Sequence, residues 1–256
     1  MRHTIATLAI ASSIVLSGPA GAQEQSRPPL SEMSAEQREA LRLEIRAYLL
    51  EHPEVLAEAI QVLEQRRTAD RDARDAALVA ANSEVLHDTE HSWVGGNPDG
   101  DITLVEFSDY RCSYCKRAHP EIKQLLERDG NIRYIVKEFP ILGPDSVAAA
   151  RMAQAALQID RERYGALHDE LMAFGGPLNE ATAYQIAASV GYDIPALKEL
   201  ASSEAIGTRL GANHTLARTL GLEGTPSFVV GNLILRGYLP LEGMMEVIAD
   251  ARAATN

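Results

Sequence analysis

The two cysteines of this 256-residue chain, Cys112 and Cys115, stand three residues apart and are its only ones. Each chemistry open to Cys112-Ser113-Tyr114-Cys115 makes a different demand. A structural disulfide would close only a tiny loop, worth roughly 2 kcal/mol by chain-entropy scaling against roughly 4.7 kcal/mol for a 100-residue loop. A zinc site needs about four ligands, yet there is no further cysteine and the seven histidines are scattered. His87 and His91 have helical i, i+4 spacing, which suits an exposed helix face as well as a ligand pair, so no metal site is expected. A redox dithiol needs only the pair itself. At a helix start, unpaired N–H groups and the macrodipole lower the pKa of Cys112, with Arg111 adding a nearby positive charge. Cys115, one turn in, then resolves the mixed disulfide. Ser113 and Tyr114 form the dipeptide that tunes the thiolate. The redox-active disulfide Cys112–Cys115 leaves no need for a further cofactor.

The neighbouring segments read as elements able to hold such a pair. Gly95 to Asp101 is turn chemistry, and Ile102 to Phe107, β-branched and bounded by breakers, reads as a buried strand. A helix starting at Cys112 runs to a stop at Gly130, and Ile132 to Lys137 is a second strand. Strand, helix and strand within about 40 residues make a βαβ unit with parallel strands. Residues 145–220 are helical in pattern over 148–159, 164–174, 181–190 and 204–220, with Gly191 and Gly221 as stops. Ser227 to Val230 and Leu233 to Leu235 form a hairpin about Gly231-Asn232, and a last helix starts near Pro240.

Composition narrows the class. With 46% hydrophobic and 23% charged residues the chain is ordinary globular protein. Its net charge of -12 and pI near 5.1 argue against nucleic acid or an anionic membrane surface as partner. Met1-Arg2-His3, the apolar run Ile5 to Leu16 and the small residues before Gln23 read as a signal peptide over 1–22, too short to span a bilayer. The mature protein is expected in an oxidising exported compartment, the periplasm, without membrane insertion. Residues 23–31 read as a flexible leader. Ser34 and Gln37 form a capping box ahead of the stripe Leu41, Ile45, Tyr48 and Leu49. A second helix beginning at Pro53 carries Val55, Leu56, Ala59, Ile60 and Leu63, and Glu64 to Asp75 reads as a solvated helix or stiff linker. The zone is too short for its own core. Its stripes are expected to join two or three chains; packing on their own chain is the other way to bury them.

Three segments carry a resemblance. Leu104-Val105-Glu106-Phe107-Ser108-Asp109-Tyr110 leading into Cys112-Ser113-Tyr114-Cys115-Lys116, then Lys137-Glu138-Phe139-Pro140-Ile141-Leu142, then Gly224-Thr225-Pro226-Ser227-Phe228, resemble the DsbA-like branch of the thioredoxin superfamily over about residues 93–254. Ile45 to Leu56 is similar to the helical extension of suppressor-of-copper-sensitivity C-type proteins, a subfamily that oligomerises through it and includes disulfide isomerases. The resemblance implies an α/β thioredoxin-like fold over 91–256 with a helical insertion at about 145–220, behind a helical oligomerisation arm and linker at 23–90. It implies that Thr225-Pro226 is a cis-proline loop facing the cysteines and pairing with substrate backbone. Glu106 matches the buried acid able to relay the proton of Cys115, or is simply a hydrogen-bonded structural glutamate. Pro120 matches a structural helix kink, and His119 is expected to face solvent or the insertion. Threonine before the proline, and Ser-Tyr in place of the oxidase's Pro-His, point to a less oxidising pair than in that oxidase.

The expected function is an exported thiol-disulfide oxidoreductase, preferably an oligomeric isomerase or reductase assembled as a homodimer or homotrimer through residues 34–80. It would act on cysteine-containing proteins and be reset by a membrane redox partner. The alternatives are a monomeric dithiol oxidase and, in another class, a non-redox periplasmic chaperone or binding module. A link to copper tolerance is implied by the subfamily alone.

Overall fold

The computed structural model describes residues 33–255, so the expected signal peptide lies outside the described residues. The chain divides into two units, one up to Val62 and one from Leu63. In the first, α1 (Ala35–Glu51) opens with the reciprocal bonds of a capping box. The Gln37 N–H donates to Ser34 Oγ at 3.2 Å, and the Ser34 N–H donates to Gln37 Oε1 at 2.8 Å. Pro53 separates α1 from α2 (Glu54–Ala81), a place where its missing N–H costs no helical hydrogen bond. Leu43, Ile45, Tyr48, Leu50, Leu56 and Ile60 of this unit are all exposed.

The second unit holds the rest of α2, then α3 (Ser83–His87), β1 (Trp93–Gly96), β2 (Ile102–Ser108), α4 (Ser113–Asp129) and β3 (Ile132–Glu138). Five helices follow: α5 (Pro144–Ile159), α6 (Arg161–Ala173), α7 (Glu180–Val190), α8 (Ile194–Ser202) and α9 (Glu204–Thr219). The hairpin β4 (Ser227–Val230) and β5 (Leu233–Arg236) and the helix α10 (Leu241–Thr255) complete it. The sheet order is β1-β3-β2-β4-β5; β2 and β3 are parallel, as the βαβ reading requires, and every other pairing is antiparallel. Three elements escaped the sequence reading, the short helix α3 among them. β1 was legible only as the entry to a glycine-rich turn, because its four residues are too few to show alternation. The helix α8 is set by the Asp193 cap and a proline in its first turn.

Residues of β2 alternate between two layers. Ile102 and Leu104 face a cluster with Ile122 and Leu125 of α4 and Met244 and Ile248 of α10. Val105 and Phe107 face the opposite cluster, where Leu216 and Leu220 meet Val79 of α2 and Leu86 of α3. Residues 63–90, read from sequence with the arm, therefore contribute to the core of the second unit. Asp75, expected on a solvated linker, is buried and takes a two-pronged ion pair from Arg236 at 2.7 and 2.9 Å. A third cluster unites α5, α6, α7 and α8 and includes Tyr110, Cys112 and Cys115, so the helical insertion roofs the dithiol.

Candidate active site

Cys112 is the N-cap of α4, with extended backbone, and its carbonyl accepts the Lys116 N–H at 3.0 Å. The strand β2 delivers the chain to this point through Ser108-Asp109-Tyr110-Arg111, and Asp109 locks that turn. Its buried carboxylate accepts the backbone N–H groups of Arg111, Ile141 and Leu142 and the hydroxyl of Ser146 at 2.8 to 3.1 Å. The Cys112 N–H donates to the Asp109 carbonyl at 3.0 Å. One short side chain thus ties the active-site turn to the segment after β3. The sequence signal was present, since Asp two residues before a turn N–H is Asx-turn chemistry.

Cys112 is 7% exposed and Cys115 fully buried; both are free thiols. Cys112 Sγ lies 3.1 Å from the Thr225 carbonyl oxygen, across 113 residues of sequence. Thr225 is half-buried, Pro226 is buried, and the peptide bond between them is cis. The pKa of Cys112 falls from a thiol's ordinary 9 to about 5. The Cys115 thiol's hydrogen bond is the main cause, and Thr225 and the backbone N–H groups of Cys115 and Tyr114 add to it against partial burial. Cys115 moves the other way: burial pushes its pKa far up, helped by the Cys112 hydrogen bond and the negative charge of Glu106. The helix-start argument holds, whereas the Arg111 contribution does not. The Arg111 guanidinium is turned to the Leu142 carbonyl at 3.0 Å and to Asp145 at 3.7 Å.

Glu106 lies on β2 with the parity of Leu104, on the α4 side of the sheet, and is 3% exposed. Burial raises its pKa, opposed by a hydrogen bond from the Tyr134 hydroxyl. The Cys112 charge raises it further, and the Glu106 charge in turn raises the pKa of Cys115. Ser113 and Tyr114 are exposed beside them. The Tyr114 ring lies 6.3 Å from that of Tyr238, with the Arg117 guanidinium over both. His119 faces the insertion, bonded to Asp169 of α6 at 2.9 Å, and Pro120 lies inside α4. The structure thus gathers Cys112, Cys115, Glu106, Thr225 and Pro226, and leaves Ser113 and Tyr114 on its rim. His87 and His91 join no metal-holding group; among the described residues there is none.

A buried network behind the site was not anticipated. The hydroxyls of Tyr110 and Tyr164 both donate to Glu138 Oε1, at 2.7 and 2.6 Å. Burial raises the pKa of Glu138 to about 8. Lys137, the neighbour of Glu138 on β3, is buried too, with its pKa lowered by burial to about 8. It donates to the Val85 and Asp88 carbonyls and to Ser92 Oγ at 2.9 to 3.2 Å. No periodicity marks such residues, because a buried charged group is admitted by its partners and not by its own hydropathy.

Comparison with known proteins agrees with this geometry. The thioredoxin family profile matches residues 88–250, and that of the copper resistance protein ScsC N-terminal domain matches residues 37–69. A thioredoxin-like oxidoreductase from Silicibacter pomeroyi is 38% identical, covering 67% of this chain and 98% of that one at a TM-score of 0.64. Proteus mirabilis ScsC in a transitional conformation is 27% identical, covering 88% of this chain and 99% of that one at 0.64. Among curated relatives, a Na(+)/H(+) antiporter NhaA 1 of Salinispora arenicola is 28% identical over 170 residues. This chain spans only about a quarter of that relative's length, 26%. No helix among the described residues is long and apolar enough to cross a membrane. The chain belongs to the thioredoxin family, and its N-terminal helical segment is similar to the N-terminal domain of the copper resistance protein ScsC.

Proposed function

We propose that the protein is an exported, periplasmic thiol-disulfide oxidoreductase that reshuffles disulfides in other proteins, working as an oligomer. The observation that carries this reading is the split between the two thiols. Cys112, at a helix start, is held as a thiolate near neutral pH, while Cys115 is held as a buried thiol. The Cys112 thiolate attacks one sulfur of a substrate disulfide, forming a mixed disulfide and releasing the other sulfur as a thiolate. In isomerisation a substrate thiolate then attacks the mixed disulfide, a new substrate disulfide forms, and the Cys112 thiolate leaves with no net oxidation. In reduction Cys115 gives up its proton and attacks Cys112 Sγ; the Cys112–Cys115 disulfide forms, and the substrate leaves as a dithiol. Glu106 is the group beneath Cys115 that takes this proton. Thr225-Pro226, whose carbonyl already meets Cys112 Sγ, presents backbone to an extended substrate segment.

Self-association is supported by the exposed apolar residues of the first unit, whose helix α1 has no buried residue. Several dithiols around one substrate, each shielded from the compartment's oxidant, suit an isomerase that must stay reduced. A membrane redox partner would return the dithiol to that state. The match to a copper resistance protein's N-terminal domain extends the proposal to copper tolerance.

The test is reactivation of a disulfide-scrambled ribonuclease. Cys112→Ser should abolish it, while Cys115→Ala should keep much of the shuffling and lose net oxidation or reduction. If both variants lose shuffling equally, the dithiol oxidase reading takes over. If Cys112→Ser changes nothing, the protein is a non-redox chaperone or binding module. Sedimentation equilibrium of residues 23–256 tests the assembly, and a monomer at all concentrations would overturn it.

A further inference from the structure

Three cations flank the dithiol on α4 and the turn before it, and two of them are engaged. The Arg111 guanidinium is turned to the Leu142 carbonyl and Asp145, and the Lys116 ammonium donates to the Leu171 and Phe174 carbonyls at the end of α6. Arg117 is exposed, and among the described residues no hydrogen bond or ion pair holds its guanidinium. On a helix its natural partner would be an acid four residues on, and Glu121 stands there. Both oxygens of Glu121 are committed elsewhere: Oε1 accepts the Tyr238 hydroxyl at 2.7 Å, and Oε2 accepts the Leu241 N–H at 2.9 Å.

What Arg117 has instead is two aromatic rings. Its guanidinium lies 5.5 Å from the Tyr114 ring and 5.8 Å from the Tyr238 ring, and the rings are 6.3 Å from each other. Contact with rings uses the face of a guanidinium; the N–H edge still has hydrogen bonds to give, in the forked geometry that suits a carboxylate. The patch lies on the path of a chain joined to Cys112. Arg117 follows Cys112 by roughly 8 Å along the axis of α4. The β4–β5 register sets Arg236 opposite Ser227, so β5 ends beside Thr225-Pro226, and Tyr238 follows from there. An extended segment spans that distance in about two or three residues. Glu242, in the first turn of α10, puts a negative charge near Tyr238, and the chain as a whole carries a net charge of -12. An acid is therefore attracted here only by direct contact with Arg117.

Resting on the oxidoreductase reading, we propose that Arg117 is a specificity-determining residue: it selects protein segments with an Asp or Glu about two or three residues from the disulfide cysteine. The carboxylate takes the guanidinium edge, while Tyr114 and Tyr238 hold the guanidinium by its face.

The test uses the reduced full chain and two cysteine peptides activated as 2-thiopyridyl disulfides, one with Glu and the other with Gln about two residues from the cysteine. The Cys112 thiolate attacks the peptide sulfur and forms the mixed disulfide; the bond to the pyridyl sulfur breaks, and 2-thiopyridone leaves with the electron pair, giving the absorbance that stopped flow follows. Expected is a Glu-to-Gln ratio of rates at least about threefold higher in the wild type than in Arg117→Gln, the effect of one forked contact at the surface. A smaller difference overturns the proposal. So does a preference that persists with the Glu moved to about eight residues from the cysteine, which would be the field of the whole protein. An Arg117 dependence found only with activated glutathione would give the patch to a small acidic thiol and overturn it too. Rates with both peptides no faster than those of a simple alkyl thiol would bring down the oxidoreductase reading and this one with it, whereas fast rates with an unchanged ratio sink this one alone.

Discussion

Replacing Cys115 by alanine removes the largest contribution to the low pKa of Cys112, the hydrogen bond from the neighbouring thiol. A hydrogen bond to a charged group is worth roughly 1.5–3 kcal/mol, and 1.36 kcal/mol is about one pH unit. The Cys112 midpoint should therefore rise from about 5 to roughly 6–7, and not return to an ordinary thiol's value, because Thr225 and two backbone N–H groups remain. The assay is the rate of alkylation by iodoacetamide as a function of pH, checked by thiolate ultraviolet absorbance. Arg111→Ala serves as control and should leave the midpoint in place, since that guanidinium is committed to Leu142 and Asp145. A wild-type midpoint at 8 or above would refute the whole electrostatic argument. An unmoved midpoint in Cys115→Ala would transfer the effect to the helix start alone, and a shift in Arg111→Ala would restore the long-range charge.

Three further outcomes follow from the same geometry. The folded pKa of Cys112 lies below its unfolded value, so the thiolate stabilises the reduced protein fully above pH 9, progressively less below it, and not at all below about pH 5. At pH 7 this amounts to about 3 kcal/mol, so the stability difference between the reduced chain and Cys112→Ala, from urea titrations, should shrink by about that amount between pH 7 and pH 4. Glu106→Gln should slow closure of the Cys112–Cys115 disulfide by about 100-fold or more while leaving the Cys112 alkylation profile nearly unchanged; an equal rate of closure in stopped flow would remove Glu106 from the proton path. Leu86→Ala, in a segment read from sequence as part of the arm but fully buried against the sheet, should cost about 2–5 kcal/mol of unfolding free energy, and a loss under 1 kcal/mol would show that α3 is not part of the core.

Local chemistry alone determined much of this protein. The Cys-x-x-Cys pair at a helix start, the βαβ and hairpin units, the Ser34 capping box and the glycine stop after Asp129 all depend on residues within a few positions of one another, so propensity and capping write them directly into the sequence. The Gly130 φ of 69° is the kind of left-handed cap that only a local rule demands. What tertiary structure decided is everything set by partners far along the chain. The Thr225 carbonyl reaches Cys112 from 113 residues away, and Asp75 is buried because Arg236 meets it from 161 residues away. Arg111 looked like a charge for the thiolate in sequence but is captured by Leu142 and Asp145 in space. Tyr110, Glu138, Tyr164 and His168, on three different elements, show no pattern in sequence because each is tolerated in the core only through the others. Burial of a polar group is a property of its surroundings, and surroundings exist only once the chain has closed on itself.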